Sequence, residues 1–277
     1  MAKDSEKWDE VALIDRDGQG AIPKVNVSVK MTALYSQIND RAWEASKSQV
    51  KERLRPILRL GKEKNVFINL DMEHYGVKDL TVEVFAELMM ESEFRTYPHF
   101  GCVIQAYLKD SFDDLVKLKT VAQQRGTPFT VRLVKGAYWD SEIKKAQMEG
   151  YTGYPVFTRK PNTDVSYIAC AKKMLQASDV IYPMFATHNA HTIAAIYQIA
   201  KNTGLPDYEY QRLHGMGHDL YAEVIGKNDL AIPCRVYAPV GSHEDLLPYL
   251  VRRLLENGAN SSFVNRITDA NVKPEDL

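Results

Sequence analysis

The chain has 277 residues, of which 45% are hydrophobic and 26% are charged, and its formal net charge is -1. This size and composition predict one large globular domain, long enough for a single α/β barrel. The near-neutral charge argues against nucleic-acid binding through this chain. The start of the sequence is acidic and polar rather than a signal peptide, and no apolar run reaches membrane-spanning length. We therefore expect a cytoplasmic protein.

The three cysteines, Cys102, Cys170 and Cys234, are widely spaced and lie in apolar segments. An odd number at such spacings is typical of buried thiols in a reducing compartment. The pattern disfavours disulfides and a zinc cluster, so we expect no bound metal.

Seven short apolar runs alternate along the chain with longer amphipathic stretches. The predicted strands cover 25–32, 66–72, 100–108, 129–136, 184–189, 208–214 and 234–240. The predicted helices between them cover 42–63, 80–91, 111–125, 165–177, 190–202 and 219–226. This βα alternation predicts a parallel sheet, either a barrel or a doubly wound sheet.

Unusual polar residues follow all seven predicted strands near their carboxyl ends. They are Lys30, Asp71, Gln105, Arg132 with Lys135, Thr187 with His188, Gln211, and Tyr237. In a (β/α)8 barrel those ends converge on one mouth, whereas a doubly wound sheet spreads them along a crevice. The convergence favours a (β/α)8 TIM barrel with its site at the mouth.

The run VRLVKGAYWD, residues 131–140, joins an apolar strand to two cations, a glycine and two aromatic residues. Arg132, Lys135, Tyr138 and Trp139 are costly to bury without partners. A bound anion and a flat ring would supply such partners. The alternative is a strand that runs into a solvated loop, and the local chemistry leaves both interpretations open.

The last predicted helix begins near residue 243 and carries a second polar group of side chains. Tyr249, Arg252, Arg253 and Glu256 are spaced i, i+3, i+4 and i+7, which places them on one helical face. Two adjacent guanidinium groups could bind a small carboxylate. Taken alone, the same face could also be a solvated surface with ordinary intrahelical pairs.

Five segments now identify a resemblance: VRLVKGAYWD, FATHNAHT, YEYQRLHGMG, RVYAPVG and YLVRRLLENGANSSF. In this order and at these spacings they resemble the proline dehydrogenase domain of the bacterial bifunctional proline utilization A flavoenzymes, from about Val25 to Ile267. The resemblance implies a distorted (β/α)8 barrel that holds FAD, with the final helix over the barrel mouth. It also implies a lead-in segment over 1–22, the barrel over 23–268 and a C-terminal tail over 269–277.

The resemblance further implies roles for individual residues. Those implied to line FAD are Gln105, Arg132, Lys135, Gly136, Ala137, Trp139, Thr187, His188, Asn189, Gln211, Leu213, Glu256 and Phe263. Those implied to form the substrate pocket are Lys30, Asp71, Leu133, Tyr138, Tyr237, Tyr249, Arg252 and Arg253. Arg132 would face the reactive nitrogen of the flavin, and Lys30, Arg252 and Arg253 would bind the proline carboxylate. Asp71 would orient Lys30 and a tyrosine hydroxyl.

The implied reaction passes a hydride from the proline ring to flavin N5 and yields Δ1-pyrroline-5-carboxylate. A membrane quinone would then accept the electrons, which implies a peripheral contact at the inner face of the plasma membrane. The sequence assigns no base for the amine proton.

Two other function classes fit parts of the sequence. His188 with His191, and His214 with His218, have spacings found in metal-dependent hydrolases, although cations outnumber carboxylates at the strand ends. A binding module without chemistry is the other alternative. A nucleotide loop after His214 is disfavoured, because Leu220 stands where the third glycine is required.

The sequence departs from the family pattern before Val25. The family's first barrel strand resembles D-L-L-G-E, and here only the short apolar run 11–14 precedes a turn-like segment. We expect a sheet that lacks its first strand and is completed by another segment or chain. Since we find neither a DNA-binding segment nor an aldehyde dehydrogenase domain in these residues, we expect only the first reaction of the bifunctional enzymes.

Overall fold

The computed structural model describes residues 2–18, 20–204, 207–225, 230 and 232–260, with side chains up to residue 253. The chain divides into two compact units, Met1–Val236 and Tyr237–Leu277. Each unit is described by itself below.

The first unit is organised around a seven-stranded parallel sheet whose strands follow one another in chain order. Its strands are β3 (Asn26–Val29), β4 (Phe67–Leu70), β5 (Phe100–Gln105), β6 (Phe129–Val134), β7 (Ile181–Ala186), β8 (Glu209–Leu213) and β9 (Cys234–Tyr237). Two further strands, β1 (Arg16–Asp17) and β2 (Gly20–Ala21), form a separate antiparallel hairpin. The order is that of a distorted (β/α)8 barrel, so the predicted fold class is confirmed.

Helices follow the strands of the large sheet. The helices are α1 (Ala2–Ser5), α2 (Ala12–Asp15), α3 (Met31–Leu34), α4 (Trp43–Glu63), α5 (Tyr75–Met90), α6 (Ser111–Arg125), α7 (Trp139–Met148), α8 (Lys160–Leu175), α9 (Ala190–Asn202), α10 (His218–Ile225) and α11 (His243–Asn260), with a 3-10 turn at Asp40–Ala42. Within the described ranges, none of them is both long and apolar enough to cross a membrane.

Side chains along the strands alternate between two environments, as the pleat requires. On β6, Val131 and Leu133 are fully buried in the main hydrophobic core, whereas Arg132 contacts polar residues of other strands. The face that carries Arg132 is called the inner face below. Because both faces of the sheet are covered, the strands contain few exposed residues.

β7 begins three residues earlier than predicted, at Ile181 instead of Met184. The residues that the prediction left out include Pro183, and a proline is unusual in a central strand. Here Pro183 pairs in register with Val131, and the ladder between β7 and β8 begins one residue later, at Met184. Pro183 has no N–H to donate, and it lies one residue before the pairing of β7 with β8 begins.

A ladder of ion pairs joins α4 to α5 and the turn after it. Its pairs are Lys47 with Glu83, Lys51 with Glu87, Arg55 with Glu91, and Arg59 with Glu93, at 2.6 to 2.8 Å. Lys47 also contacts Glu87 at 2.9 Å, and Lys51 contacts Glu91 at 3.3 Å. The indole N–H of Trp43 donates to Glu83 at 2.8 Å.

The lead-in segment does not supply the missing strand. Residues 12–15 form the helical turn α2, and the turn-like segment after it forms the β1–β2 hairpin. The amide of Gly18 donates to the Asp207 carboxylate at 2.7 Å, which ties the hairpin to the residues before β8. Among the described residues ahead of Asn26, none joins the large sheet.

Candidate active site

Arg132 lies at the centre of a polar cluster on the inner face and is 5% exposed. Its Nε donates to Gln211 Oε1 at 2.6 Å, its Nη1 to Asp71 Oδ1 at 2.6 Å, and its Nη2 to Ser28 Oγ at 3.2 Å. The three partners come from β3, the end of β4, and β8. The guanidinium plane is therefore fixed from three directions.

Asp71 forms an ion pair with Arg132, and its expected role in orienting Lys30 and a tyrosine hydroxyl stays a prediction. The Asp71 amide donates to the carbonyl of Val29 at 2.8 Å, which holds the carboxylate beside the end of β3. Lys30 precedes α3 and is partly exposed. No hydrogen bond or ion pair of Lys30 is found within the described part of the chain, so its ammonium group can meet a ligand.

The loop after β6 is shaped by Gly136 and Tyr107. Gly136 has φ of +133°, and a Cβ there would lie 2.3 Å from the Tyr107 ring. The Tyr107 amide also donates to the carbonyl of Lys135 at 2.8 Å. A glycine is thus required twice, by the backbone angle and by the close approach of the ring.

Lys135 Nζ contacts Asp164 Oδ1 of α8 at 2.6 Å, and Lys160 contacts the other oxygen of Asp164 at 3.1 Å. Burial would raise the pKa of Asp164, but its hydrogen bonds and attraction to the two lysines lower that pKa below its usual value. Lys135 therefore faces a permanent carboxylate, which holds its ammonium group at the loop.

The remaining residues of this loop open toward solvent. Tyr138 precedes α7, and Trp139 is its first residue. The Trp139 indole N–H donates to the carbonyl of Phe157 at 2.9 Å while 39% of the residue stays exposed. A fixed and partly exposed indole offers a flat surface for a ligand ring. Ala137 lies between Gly136 and Tyr138 and is partly buried.

The ends of β7 and β8 are bound to each other. The Thr187 amide donates to the carbonyl of Gln211 at 3.2 Å, and the amide of Leu213 donates to His188 Nε2 at 3.0 Å. Asn189 caps α9, because its side chain accepts from the Thr192 amide at 2.9 Å. These contacts hold the predicted cofactor-binding residues of the two strands at one edge of the sheet.

Gln105 and Leu133 occupy different faces. Gln105, at the end of β5, donates to the carbonyl of Glu73 at 2.8 Å. Leu133 is fully buried in the hydrophobic core, and it alternates with Arg132 along β6. Leu133 has the opposite parity to Arg132 in the pleat of β6, and its expected place in the substrate pocket stays a prediction.

The second unit holds the other predicted substrate residues. The rings of Tyr237 and Tyr249 stack with centroids 6.4 Å apart and an interplanar angle of 20°. The Arg253 guanidinium lies over the Tyr249 ring, 5.3 Å from its centroid. Arg252 belongs to the same helix, α11. The side chain of Glu256 and all of Phe263 lie outside the described residues.

A charged pair at the opposite ends of the strands was not predicted. Glu209, the first residue of β8, is 2% exposed and accepts from Arg235 Nε at 2.8 Å and Arg235 Nη2 at 2.9 Å. The sequence signal for this residue is its position in the run Tyr-Glu-Tyr-Gln, two residues before Gln211. A carboxylate of the same parity as Gln211 must share its face.

A cavity of about 100 Å³ adjoins this pair at the amino ends of the strands. Its walls include Arg235, Thr130 and Ile22, the last from beside the β1–β2 hairpin. His99 also lines it, and burial, reinforced by the charge of Arg235, lowers the pKa of His99 to about 4. This end of the sheet therefore holds an imidazole that stays neutral at physiological pH.

The histidine spacings do not form a metal site in the region described. No group of three or more histidine, cysteine, aspartate or glutamate side chains there could hold a metal ion. His188 uses its Nε2 to accept from a backbone amide. The predicted metal-dependent hydrolase therefore has no support from the geometry of the described residues.

Comparisons with known proteins show the family of the chain. The family model for proline dehydrogenase matches residues 1–266. The bifunctional protein PutA of Klebsiella aerogenes is 48% identical over 94% of this chain, and proline dehydrogenase 1 of Bacillus subtilis (strain 168) is 28% identical over 86% of it. The crystal structure of proline utilization A from Bdellovibrio bacteriovorus, inactivated by N-propargylglycine, has a TM-score of 0.92 and 53% identity over 98% of this chain.

These relatives differ in how much of their length is matched. The chain spans 20% of the Klebsiella aerogenes protein, 28% of the Bdellovibrio bacteriovorus chain and 68% of the Bacillus subtilis protein. The similarity to the bifunctional proteins thus covers one part of much longer polypeptides.

Proposed function

The chain belongs to the proline dehydrogenase family, and from this premise we propose that it oxidises L-proline to Δ1-pyrroline-5-carboxylate with FAD as its cofactor. The observation that carries the proposal is the fixed guanidinium of Arg132 at the carboxyl ends of the parallel strands. In barrels of this kind those ends hold the chemistry.

The described residues fit an anionic, flat cofactor. Lys135 is held at the strand end by Asp164, Gly136 lets the loop backbone pass close to Tyr107, and Trp139 leaves part of its indole exposed. We propose that these residues, with Gln105, Ala137, Thr187, His188, Asn189, Gln211, Leu213, Glu256 and Phe263, hold FAD. FAD, when bound, supplies the acceptor for a hydride at its N5.

We propose that Lys30, Arg252 and Arg253 bind the substrate carboxylate, while Tyr138, Tyr237 and Tyr249 flank the proline ring. Cationic donors and stacked tyrosines suit a small amphipathic ligand with one carboxylate. Binding the carboxylate removes rotational freedom and leaves the ring carbon beside nitrogen oriented for transfer.

Arg132 is proposed to stabilise negative charge that develops next to it, and Asp71 to offset part of its charge before the reaction. The pre-set guanidinium costs no rearrangement at the moment of transfer, since its three acceptors already fix its plane. No side chain is assigned to take the amine proton, and the proposal is that proline reacts as the free amine, having lost that proton to solvent.

The electrons are proposed to pass to a membrane quinone, reached from the cytoplasm through a peripheral contact. The support for this step is the family resemblance. Reduction of a soluble quinone analogue by the protein in the presence of proline tests it, and oxygen as the sole effective acceptor would contradict it.

The experiment for the whole proposal is spectroscopic. Purified protein supplied with FAD should show flavin absorbance, which L-proline bleaches under anaerobic conditions. A yellow protein that proline does not bleach would indicate a binding module, and a colourless protein with bound metal would indicate the hydrolase. Since the Bdellovibrio bacteriovorus relative is inactivated by N-propargylglycine, we expect the same of this chain.

A further inference from the structure

A chain of buried polar contacts runs along the inner face from the amino ends of the strands to their carboxyl ends. It begins with Arg235 and Glu209, continues through Gln211 to Arg132, and ends at Asp71. Each link is 2.6 to 2.9 Å long. The proposed function uses the last three of these residues and leaves Glu209 and Arg235 without a role.

The central link depends on which way the Gln211 amide points. Its Nε2 donates to Glu209 Oε1 at 2.6 Å and lies 3.1 Å from Met184 Sδ, while its Oε1 accepts from Arg132 Nε at 2.6 Å. A carboxylate can only accept hydrogen bonds, so Glu209 must meet the NH2 end of the amide. The oxygen of Gln211 is thereby directed at Arg132.

Arg235 makes the buried carboxylate tolerable. It donates two parallel hydrogen bonds to Glu209, which compensate for removing that charge from water. Burial alone would lower the pKa of Arg235, but the charge of Glu209 and its hydrogen bonds raise it above the usual value. The pair therefore presents a fixed anionic acceptor to Gln211.

We propose that Glu209, supported by Arg235, is a positioning residue for Arg132 and acts through the amide of Gln211. Glu209 touches neither the substrate nor the cofactor in this account. Its effect on catalysis rests on the proposed function, but its effect on the Arg132 side chain does not.

Glu209→Gln tests the hold on the amide. Glu209 Oε1 accepts from both Arg235 Nε and Gln211 Nε2, and Oε2 accepts from Arg235 Nη2, so an amide at 209 offers one oxygen where two are used and removes the anionic acceptor of Gln211. The hydrogen bond that orients Gln211 is then weaker, and its oxygen holds Arg132 Nε–H less firmly. In the double variant Glu209→Gln with Gln211→Glu, the carboxylate at 211 accepts from both neighbours, and the net charge is unchanged.

The first readout is the Nε–H resonance of Arg132 in protein labelled with ¹⁵N arginine, assigned by its loss in Arg132→Lys. Glu209→Gln should shift this signal and speed its exchange with solvent, and the double variant should restore slow exchange. The second readout is flavin reduction by proline, which we expect to slow roughly tenfold in Glu209→Gln while the proline KM stays within about twofold.

Asp114→Asn is the matched control, since Asp114 is also 2% exposed and is ion-paired with the buried Lys78 at 2.5 Å, outside this network. It should leave the Arg132 signal and the reduction rate unchanged. If Glu209→Gln fails to fold, Glu209→Asp keeps the charge but shortens the reach, and it should give the same changes to a smaller degree.

The inference is overturned by an unchanged Arg132 signal in the Glu209 variants, or by equal changes in Asp114→Asn. Wild-type protein that proline does not bleach would instead overturn the proposed function. In that case the resonance measurements still decide whether Glu209 positions Arg132.

Discussion

The two ends of the inner face carry similar charged groups but pair them differently. At the amino ends, Arg235 gives two hydrogen bonds to one carboxylate, Glu209, beside a small enclosed cavity. At the carboxyl ends, Arg132 divides its hydrogen bonds among a carboxylate, an amide and a hydroxyl on different strands. Both arginines lie on strands of the same sheet.

The two ways of pairing predict that Arg235 acts mainly on stability and Arg132 mainly on the reaction. A closed pair satisfies its own charges, and the energy of that pair goes into the fold. A guanidinium shared among three acceptors, of which one is a carboxylate, is held in place and keeps an electric field that acts on a ligand. Changes at the amino ends should therefore alter unfolding and reach the reaction only through Gln211, whereas changes at the carboxyl ends should alter the reaction directly.

The largest expected effect is that of Arg132→Lys. One ammonium group cannot satisfy three acceptors arranged around a planar fork, so the rate of flavin reduction by proline should fall by roughly 100-fold. Stopped-flow absorbance under anaerobic conditions measures this rate.

Arg125→Lys is the control, because Arg125 is also a buried arginine but bonds to backbone carbonyls that include those of Phe94 and Pro128. It should cost roughly 2 kcal/mol of stability without slowing the reaction of the folded protein. Equal rates of flavin reduction in Arg132→Lys and wild type would contradict the proposed difference between the two ends of the inner face.

Arg253→Met should give a different signature from Arg132→Lys. Loss of one charged donor to the substrate carboxylate should raise the proline KM by roughly 10- to 100-fold, with flavin retained. Steady-state kinetics together with the flavin absorbance of the purified variant measure both. An unchanged KM would show that the carboxylate is bound elsewhere.

Gly136→Ala should disturb the loop at the carboxyl ends. The new Cβ would meet the Tyr107 ring at 2.3 Å, in addition to the strain of a positive φ. Gly150→Ala is the matched control, since Gly150 has φ of +66° but no atom near its Cβ position. Strain alone costs roughly 1 to 2 kcal/mol, and overpacking adds roughly 1 to 3 kcal/mol.

Urea denaturation and the flavin content after purification compare the two glycine variants. The loop's proposed contact with FAD predicts flavin loss in Gly136→Ala and full flavin in Gly150→Ala. The same stability and flavin content in both variants would show that the Tyr107 contact is unimportant.

The smallest effect concerns His99 at the amino ends. The unfolded chain binds a proton at this imidazole near pH 6.5, whereas the folded chain does so near pH 4, because burial and Arg235 disfavour the charge. Acidification between these values therefore favours the unfolded state, and stability falls as the pH falls.

His99→Phe keeps the ring contacts with Phe67 and Tyr97 and should flatten the dependence of stability on pH in that window. Thermal unfolding at pH 7 and pH 5 measures the difference between variant and wild type. An equally steep loss of stability in both would assign the acid sensitivity to other groups.

The order and type of the strands could be predicted because their periodicity is local. Alternation of apolar strands with amphipathic helices was enough to identify the parallel sheet. The start of β7 was misplaced by three residues, because strand ends depend on pairing with neighbouring strands. The lead-in segment was also recognised as unfit to be a strand of this sheet.

Pairing between distant residues was harder to predict. The sequence identified the cations at 132 and 135 as unusual. It did not identify their partners, because Asp71 lies 61 residues from Arg132 and Asp164 lies 29 residues from Lys135. The face of Glu209 could be read from its spacing to Gln211, but its partner Arg235 could not, since Arg235 lies 26 residues away.

The ladder between α4 and α5 has a consequence for how those helices find their alignment. Its cations recur every four residues, and so do Glu83, Glu87 and Glu91, so a slip of one helical turn keeps part of the pairing. Lys47 and Lys51 already touch two successive carboxylates each. The repeating pairs thus allow two alignments of α4 along α5 that differ by one helical turn. The contacts at the two ends select one of them, because the Trp43 indole donates to Glu83 and Glu93 breaks the four-residue spacing of the carboxylates.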